Sequence, residues 1–593
     1  MRHQPDPGPA MFKNLLHRIL PSPASAPAQS AAPAPAREAP QGDIPAADAL
    51  IVQGNTLEDA GQLAQAEALY RSAVSKAPGH ARAHLNLGIV LAAEGDEDGA
   101  IAAYERVLAL DAAHPFGNYN YARLLVTRGQ VDRAATLTEA ALRAKPDFMQ
   151  AIELQARILR DQGFAREALV PLRQVVERDP SNWLHRSFEL LVMNSADGID
   201  ADAMFRRHVE FGAGLAQAVP VRFASHPARG DAARRLRVGY LSSDFLLHPV
   251  SFFLIPVLEH HDRAQVEVFC YSAETRRDEM TERVRAASDH WRDVATLTDD
   301  ALADAIHADG IDVLVDLIGH TGLPRLGVFC QRPAPVQVEW LGYLNTTGLS
   351  RMDFRLSDER ADPPAIAQSR HVERLEFLPA SQWCYRAMAE QAIDPVPPFE
   401  RNGHLTFGSF NAAIKITPAA CRRWAHVMLR VPGSRLVIGD INSERKRAAI
   451  RRDLEAEGVA AERIEFMPRV AFGKYLDLYN AVDITFDTFP YGGGTTTFDS
   501  LWMGAPVVAA VGDTPVARSA ASILAALGLD HWIAPAVDRF VDVAVARAAD
   551  LDALRALRRD LRPRLQASPL TDVPRYVRDL EAAYRRMWLD KSR

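Results

Sequence analysis

The sequence contains few cysteines, and their spacing fits neither a metal site nor a disulfide framework. Only four occur among 593 residues, and no two of them form a C-x-x-C pair. A fold that relied on zinc or disulfides would carry more cysteines at short intervals. We therefore expect no bound metal of this kind and a reducing, cytoplasmic location. The four residues are Cys270, Cys330, Cys384 and Cys421.

Long apolar runs and an excess of positive charge are also missing. No stretch of 18 apolar residues occurs, so we expect no membrane span. Lysine and arginine number 68 against 75 aspartates and glutamates, a net charge of −7. This argues against a nucleic-acid partner, because a surface that binds phosphates along a backbone is usually basic.

The first 46 residues are rich in proline and alanine. Such a composition cannot bury enough apolar surface to offset the entropy of the chain. We therefore expect residues 1–46 to be disordered.

A 34-residue repeat occupies residues 47–195. Glycine recurs at this interval, alanine follows each glycine by five residues, and proline closes most units. The pattern predicts about four tetratricopeptide repeats that stack into a superhelix with a groove. The groove is expected to bind a peptide or partner protein, although packing against the rest of the chain is the alternative. The repeated residues are Gly61, Gly95, Gly129 and Gly163, Ala66, Ala100, Ala134 and Ala168, and Pro78, Pro146 and Pro180.

After a helical linker at 196–233, short apolar runs alternate with helical stretches. This alternation predicts two Rossmann-like halves, at 234–395 and 400–570, followed by a C-terminal helix at 571–593. Ligands of such folds bind outside the carboxyl ends of the parallel strands. The predicted strands are 236–241, 266–271, 313–318 and 336–340 in the first half, and 405–409, 435–438, 464–466, 484–486 and 507–511 in the second.

The segment after the predicted strand 484–486 has the composition of an anion site. It reads YGGGTTTFD from Tyr491 to Asp499. Gly493 and Gly494 let the backbone approach a ligand, and Thr495–Thr497 add hydroxyl groups where a helix begins. A helix cap would explain Thr496 and Asp499 by themselves, but not three glycines followed by three threonines. The motif lacks G-K-[ST], which disfavours ATP hydrolysis.

A second candidate is the stretch from Asn411 to Lys415. The chain has only seven lysines, so a lysine in this place is unusual. Thr417 and Pro418 resemble the cap and first residue of a helix, and a cation at a helix start is unfavourable unless an anion joins it. The alternative is an ordinary surface lysine.

Two histidines lie after predicted strands. His248 precedes Pro249, and Ser251 is expected to cap the next helix. A nearby helix start favours neutral imidazole, which can accept a proton. His320, in a Gly-His-Thr turn, is a weaker candidate of the same kind. Either histidine could be a surface residue.

Together these stretches resemble the O-GlcNAc transferase family, glycosyltransferase family 41, in its bacterial form. The resemblance covers roughly residues 50–570. The matching stretches occur in one order along the chain: RVGYLSSDF at 237–245, His248-Pro249, RPAPVQ at 332–337, WLGY at 340–343, Lys415, and GGGTTTFD at 492–499.

The resemblance implies a tetratricopeptide superhelix followed by a GT-B fold, in which two Rossmann-like domains face a cleft. It implies transfer of N-acetylglucosamine from UDP-GlcNAc to protein serine or threonine, with inversion and without an essential metal. Lys415 would then neutralise the UDP leaving group, with Thr495 and Thr496 on the diphosphate. Asp499 would hold the ribose, Tyr475 would lie over uracil, and His248 is the candidate general base.

Four positions depart from the animal enzymes of that family and leave the donor sugar and acceptor open. The alternatives are another UDP-sugar, a non-protein acceptor such as a polysaccharide, or a repeat scaffold whose α/β part binds UDP without chemistry. The departures are Ala412 for Gln, Gly494 for His, Phe472 for Lys and Leu344 for Pro.

Overall fold

The computed structural model describes residues 42–226, 233–387 and 389–591. These residues form a helical unit that runs to residue 178 and an α/β unit built from 179–441 and 446–591. The predicted disordered segment lies mostly outside the described residues. Its last residues are helical, because Asp43 accepts a hydrogen bond from the Ala46 N–H and Pro45 fits the first turn of a helix that begins at Ile44.

The helical unit consists of paired helices, as the 34-residue repeat predicts. Its four described pairs are α1 (Ile44–Asp59) and α2 (Leu63–Lys76), α3 (Ala81–Glu94) and α4 (Glu97–Leu110), α5 (Pro115–Thr127) and α6 (Val131–Ala144), and α7 (Met149–Gln162) and α8 (Ala165–Arg178). The repeated glycines lie in the turn inside each pair with φ between +72° and +96°. Glycine is favoured there because other residues are strained in this conformation.

Two further glycines allow the helices inside a repeat to pack closely. A Cβ atom added to Gly54 would lie 2.5 Å from the Tyr70 ring, and one added to Gly88 would lie 2.6 Å from the Tyr104 ring. Both tyrosines are buried. The second helix of each of these repeats therefore seats an aromatic ring directly on the backbone of the first.

The first half of the α/β unit is a parallel sheet of seven described strands. They are β1 (Leu236–Ser242), β2 (Val266–Ser272), β3 (His290–Asp293), β4 (Val313–Asp316), β5 (Val336–Glu339), β6 (Phe354–Ser357) and β7 (Arg374–Phe377). Their order in the sheet is β3-β2-β1-β4-β5-β6-β7. Strands β2 and β3 are therefore added on one side of β1, and β4 to β7 are added on the other side.

The sequence prediction missed β3, β6 and β7. The edge strands β3 and β7 carry charged residues, and β3 is largely exposed while β7 is partly buried. Both therefore lack the apolar run that predicts a buried strand. β6 is buried but contains Arg355, whose guanidinium donates to the Glu339 carboxylate of β5.

The second half is a smaller parallel sheet of six described strands. They are β8 (Thr406–Ser409), β9 (Arg435–Ile438), β10 (Ile464–Phe466), β11 (Ile484–Phe486), β12 (Val507–Ala510) and β13 (Ile533–Ala534). The order is β10-β9-β8-β11-β12-β13. The two-residue β13 is the strand that the sequence did not indicate. The two doubly wound sheets confirm the predicted GT-B architecture.

Helices flank both sheets. In chain order they are α9 (Trp183–Met193), α10 (Ala201–Ala218), α11 (Pro249–His260), α12 (Glu279–Ala286), α13 (Asp299–Asp309), α14 (Leu326–Gln331), α15 (Pro364–Ala367), α16 (Pro398–Asn402), α17 (Pro418–Arg430), α18 (Glu444–Ala456), α19 (Phe472–Tyr475), α20 (Thr495–Trp502), α21 (Ser519–Ala526), α22 (Phe540–Ala548), α23 (Leu551–Gln566) and α24 (Val573–Lys591).

Two of these helices refine the predicted domain boundaries. The repeats were predicted to end at 195, but α9 belongs to the α/β unit. Its Ser187 hydroxyl lies 2.7 Å from His320 Nδ1, beyond β4. The last helix, α24, returns to the first half, where the Tyr584 hydroxyl lies 3.2 Å from that of Tyr240.

Candidate active site

An aspartate that the sequence analysis overlooked fixes the glycine turn of the second half. Asp487 follows β11 directly, and its Oδ1 accepts a 2.6 Å hydrogen bond from the Gly493 N–H. The carboxyl group is buried, and burial raises its pKa to about 6, although backbone N–H groups and the nearby Lys415 charge oppose the shift. An aspartate between a buried strand and a glycine run was the available sequence signal.

Lys415 reaches this turn from a separate part of the chain. It ends a short 3-10 turn after β8, and its Nζ donates to the Gly492 carbonyl oxygen over 2.9 Å. The ammonium also lies 3.8 Å from the centre of the Tyr491 ring, a cation–π distance. Burial lowers the pKa of Lys415 to about 8, and the Asp487 charge limits the shift. The fold thus brings together the lysine and the glycine turn, which the sequence predicted separately.

The helix start beside Lys415 follows the sequence prediction. Thr417 caps α17 by accepting from the Ala420 N–H, and its hydroxyl donates to the Phe489 carbonyl over 2.8 Å. This second bond ties the loop after β8 to the loop after β11. One side chain therefore starts the helix and holds the two loops together.

The three threonines at the start of α20 differ in their roles. Thr496 donates its hydroxyl hydrogen to Asn411 Oδ1 over 2.9 Å, and Thr497 donates to the Gly493 carbonyl over 3.0 Å. Thr495 is the first residue of the helix, after Gly494. The first N–H groups of a helix have no partner within it, so this turn presents backbone donors next to the Lys415 ammonium.

Asp499 lies one turn further into α20 and is contacted from the segment between β7 and α16, which joins the two sheets. The Tyr385 hydroxyl donates to its Oδ1 over 3.0 Å, and the Tyr385 ring stacks on Phe498 at 4.6 Å. Burial raises the pKa of Asp499 to about 7. Tyr385 lies in the joining segment, where no local pattern pointed to a site.

Tyr475 lies in the same region as the threonines. Its hydroxyl is 2.8 Å from that of Tyr479, and the Tyr479 hydroxyl donates to the Thr496 carbonyl over 3.3 Å. Tyr475 is thereby linked to the first turn of α20. The predicted donor-binding residues all belong to one neighbourhood at the carboxyl ends of β8 and β11.

His248 occupies the predicted loop after β1, but its local role differs from the expectation. His248 itself caps α11, because its Nδ1 accepts from the Val250 N–H over 3.3 Å. Ser251, predicted as the cap, instead donates its hydroxyl hydrogen to the Asp244 carbonyl. With the Nδ1 lone pair engaged, a neutral ring carries its proton on Nε2. His248 can therefore accept a proton only after its hydrogen bond with the Val250 N–H is broken.

The structure contradicts a catalytic role for His320. The side chain is buried, Nδ1 lies 2.7 Å from the Ser187 hydroxyl, and Nε2 lies 2.9 Å from the Thr347 carbonyl oxygen. Burial and the neighbouring His208 lower the pKa of His320 to about 3. Both nitrogens are engaged in the interior, so His320 joins α9 to the loop after β5 and is not available to a substrate.

Two findings concern metals and membranes. In the described part of the chain, no three histidine, cysteine, aspartate or glutamate side chains are grouped so that they could hold a metal ion. Metal independence nevertheless stays a prediction.

Among the described helices, none is both long and apolar enough to cross a bilayer.

The comparison with known families decides where the chain belongs. The model of glycosyl transferase family 41 matches residues 207–388 and 401–580, which together make up more than half of the sequence. The chain belongs to glycosyl transferase family 41. Models of the tetratricopeptide repeat match residues 51–116 and 91–158 of this family member, in agreement with the paired helices.

Relatives of this family 41 chain include plant proteins and a solved bacterial structure. An Arabidopsis thaliana protein described as probable UDP-N-acetylglucosamine–peptide N-acetylglucosaminyltransferase SPINDLY is 38% identical over 419 residues, which are 69% of this chain and 45% of that protein. The SEC protein of the same plant is 31% identical, over 61% of this chain and 39% of that protein. The chain thus spans less than half the length of these relatives.

The solved structure is a mutant of the Thermobaculum terrenum O-GlcNAc transferase. It is 33% identical in sequence, with a TM-score of 0.80 over 86% of this chain and 98% of that one. This similarity independently supports the arrangement of helical repeats followed by two parallel sheets.

Proposed function

We propose that the chain is an inverting glycosyltransferase that moves N-acetylglucosamine from UDP-GlcNAc to serine or threonine hydroxyls of polypeptides recruited by its repeats. The proposal includes a reaction that needs no metal ion and a cytoplasmic protein with no nucleic-acid partner. It rests on the family membership and on the chemistry of the loops after β8 and β11.

The observation that carries the proposal is the position of the Lys415 ammonium. It lies against the Gly492 carbonyl and the Tyr491 ring, at a turn followed directly by the start of α20. A diphosphate bound here would meet a cation and the positive end of a helix dipole. Both would stabilise the negative charge that develops on UDP as the bond to the sugar breaks.

The other donor contacts follow from the same neighbourhood. Thr495 and the backbone N–H groups of the first turn would bind the diphosphate, while Thr496 is oriented by Asn411. Asp499, positioned by Tyr385, would accept from ribose hydroxyls. Tyr475 would supply the ring that covers uracil. Asp487 would act indirectly, because it holds the Gly493 N–H and fixes the shape of the turn.

On the acceptor side, His248 is the candidate general base. Because its Nδ1 accepts from the Val250 N–H, the resting ring presents a donor, which can orient an acceptor hydroxyl group. Removal of the hydroxyl proton by His248 would require loss of that cap.

Replacement of Lys415 tests the proposal. We expect Lys415→Ala to lower transfer by about 10³-fold while leaving the fold intact, since one charge that stabilises the leaving group is lost. Lys474→Ala is the matched control, because Lys474 is an exposed lysine on the neighbouring α19. The assay incubates each protein with UDP-GlcNAc and cell lysate and maps HexNAc on serine and threonine by mass spectrometry.

Further arms of this experiment separate the alternatives. Near-normal transfer by Lys415→Ala would contradict the role assigned to the lysine. Strict dependence on Mn²⁺, seen as loss of activity in EDTA, would contradict the metal-independent reaction. UDP binding by calorimetry without transfer or donor hydrolysis would instead support an inactive scaffold.

A second candidate function uses the same chemistry with another donor sugar. The Tyr491 ring occupies the space beside the Lys415 ammonium, where the sugar joined to the diphosphate is expected. A bulky ring at this place can restrict the substituents that a sugar carries. A panel of UDP-linked and GDP-linked hexoses, with and without N-acetyl groups, distinguishes this candidate from the first by the mass that is added.

A further inference from the structure

The first half contains a cavity that the donor chemistry does not use. It measures about 470 Å³ and lies between α9, α10 and the loops that follow β2, β3 and β4. We call it the edge pocket. Its volume falls within the range of ligand pockets. Apolar side chains contribute much of the wall, including Trp183, Phe211, Leu215, Leu297 and Leu323.

The polar side chains of the edge pocket are already bonded to the protein. Arg325 donates to the Asp299 carboxylate over 2.6 Å and to the Leu297 carbonyl over 2.8 Å. Glu274 accepts from the backbone N–H groups of Thr275 and Arg276. The remaining polar residues of the wall, Ser181, Asn182, Thr275 and Thr298, also make hydrogen bonds within the chain.

This pattern favours one kind of occupant. A discrete metabolite is usually oriented by a few polar groups that converge on it, and here each polar side chain of the wall already makes at least one hydrogen bond within the chain. An apolar side chain needs no such groups, because the polypeptide that carries it fixes its orientation. The edge pocket therefore suits a large apolar side chain better than a free small molecule.

The edge pocket is connected to the predicted acceptor side by one loop. The loop after β4 supplies Leu323 and Pro324 to the wall. In the same loop, a Cβ atom on Gly322 would lie 3.0 Å from the Ser243 hydroxyl oxygen. Ser243 belongs to the loop after β1, which also carries His248. The pocket and the candidate catalytic loop thus share a packed boundary at the carboxyl edge of one sheet.

We propose that the edge pocket binds a large apolar side chain of the acceptor polypeptide, at a fixed distance in sequence from the modified serine or threonine. This inference rests on the proposed function, since it presupposes a polypeptide acceptor. It assigns acceptor selection to the first half of the α/β unit in addition to the repeats.

A randomised peptide library tests the inference. Each peptide has one central serine and random flanking positions, and the pool modified by the full-length protein is sequenced. We expect Leu, Ile, Met, Phe or Trp to be enriched about tenfold at one offset from the serine, which corresponds to about 1.4 kcal/mol of selective binding. In Ala295→Trp, whose new ring fills the pocket, the enrichment should disappear.

Matched variants make the result decisive. Ala301→Trp places the same ring at an exposed alanine on α13 and outside the pocket, and should keep the enrichment. Leu323→Ala enlarges the pocket and should shift the preference towards the largest side chains, so the test does not depend on the folding of Ala295→Trp. UDP affinity should be equal in all four proteins.

The outcomes separate this inference from the proposed function. Transfer by the wild type with no enriched offset, or with the same enrichment in Ala295→Trp, would overturn the inference and leave the proposed function intact. A wild type that binds no UDP and modifies no peptide would overturn the proposed function and the inference with it.

Discussion

The two halves of the α/β unit place different chemistry at the same edge of similar sheets. At the carboxyl ends of β8 and β11, Lys415, Asp487 and Asp499 form a cluster whose pKa values burial moves to about 8, 6 and 7. At the carboxyl end of β4, His320 is buried, neutral and bonded through both ring nitrogens. Burial raises the pKa of the neighbouring Asp316 to about 6, but this carboxyl group accepts from two backbone N–H groups.

The difference indicates a division of labour between the halves. A charged ligand requires buried ionisable groups whose desolvation is offset only when the ligand arrives. Both halves carry this cost, because burial also raises the pKa values of Asp316 and Glu339 in the first half. The second half combines it with the Lys415 ammonium, which lies beside a glycine turn and the start of α20. The loops of the first half enclose the edge pocket, much of whose wall is apolar. The donor is thus expected on one side and an apolar part of the acceptor on the other.

The largest expected effect is a loss of stability when His320, in the first half, is replaced. We expect His320→Ala to destabilise the protein by about 3 kcal/mol, because it leaves a cavity and an unpaired Thr347 carbonyl in the interior. Thermal unfolding measures the effect, and transfer per folded molecule should be unchanged. His248→Ala is the matched variant and should lower stability by about 1 kcal/mol or less, since it removes only a cap. Equal losses of stability would contradict the interior role of His320.

A smaller change in stability, this time a gain, is expected when Asp499 is replaced. The pKa of its buried carboxyl is raised from 3.8 to about 7, so the folded state loses stability as the pH rises through this range and the group ionises. Asp499→Asn removes this loss and should stabilise the protein by about 2 kcal/mol at pH 8 but not at pH 4. UDP affinity should fall at the same time. Asp477→Asn, at an exposed aspartate nearby, is the control.

An unchanged or lower melting temperature of Asp499→Asn at pH 8 would show that the carboxylate is not destabilised by burial. The predicted donor site would then lack the electrostatic cost assigned to Asp499.

The smallest expected effect is the pH dependence of UDP binding. Lys415 has its pKa lowered to about 8, and UDP binds the ammonium form, so affinity should fall by about tenfold between pH 7 and pH 9. Lys415→Arg keeps its charge over this range and should show a flatter profile. Calorimetry of UDP binding to both proteins measures the difference. Parallel profiles would mean that Lys415 does not contact the anion.

Local sequence patterns were sufficient to predict the repeats, and they indicated residues that the fold brings together at the carboxyl ends of β8 and β11. The 34-residue spacing of glycine and alanine predicted paired helices because each repeat is a local unit with its own turn. The stretch 491–499 predicted an anion site because glycines and threonines before a helix have a direct local meaning. Short charged strands such as β3 were missed, since their pairing depends on a neighbour distant in sequence.

By itself the sequence determined the repeat period and the two α/β halves, and it predicted a ligand site at the glycine turn. Only the tertiary structure decided that Asp487 fixes this turn, that Tyr385 reaches Asp499, that His320 is an interior residue and that His248 caps α11. It also decided that α9 belongs to the α/β unit. The physical reason is that hydrogen-bond partners and burial depend on residues brought together by folding, whereas helix period, turns and caps depend on neighbours along the chain.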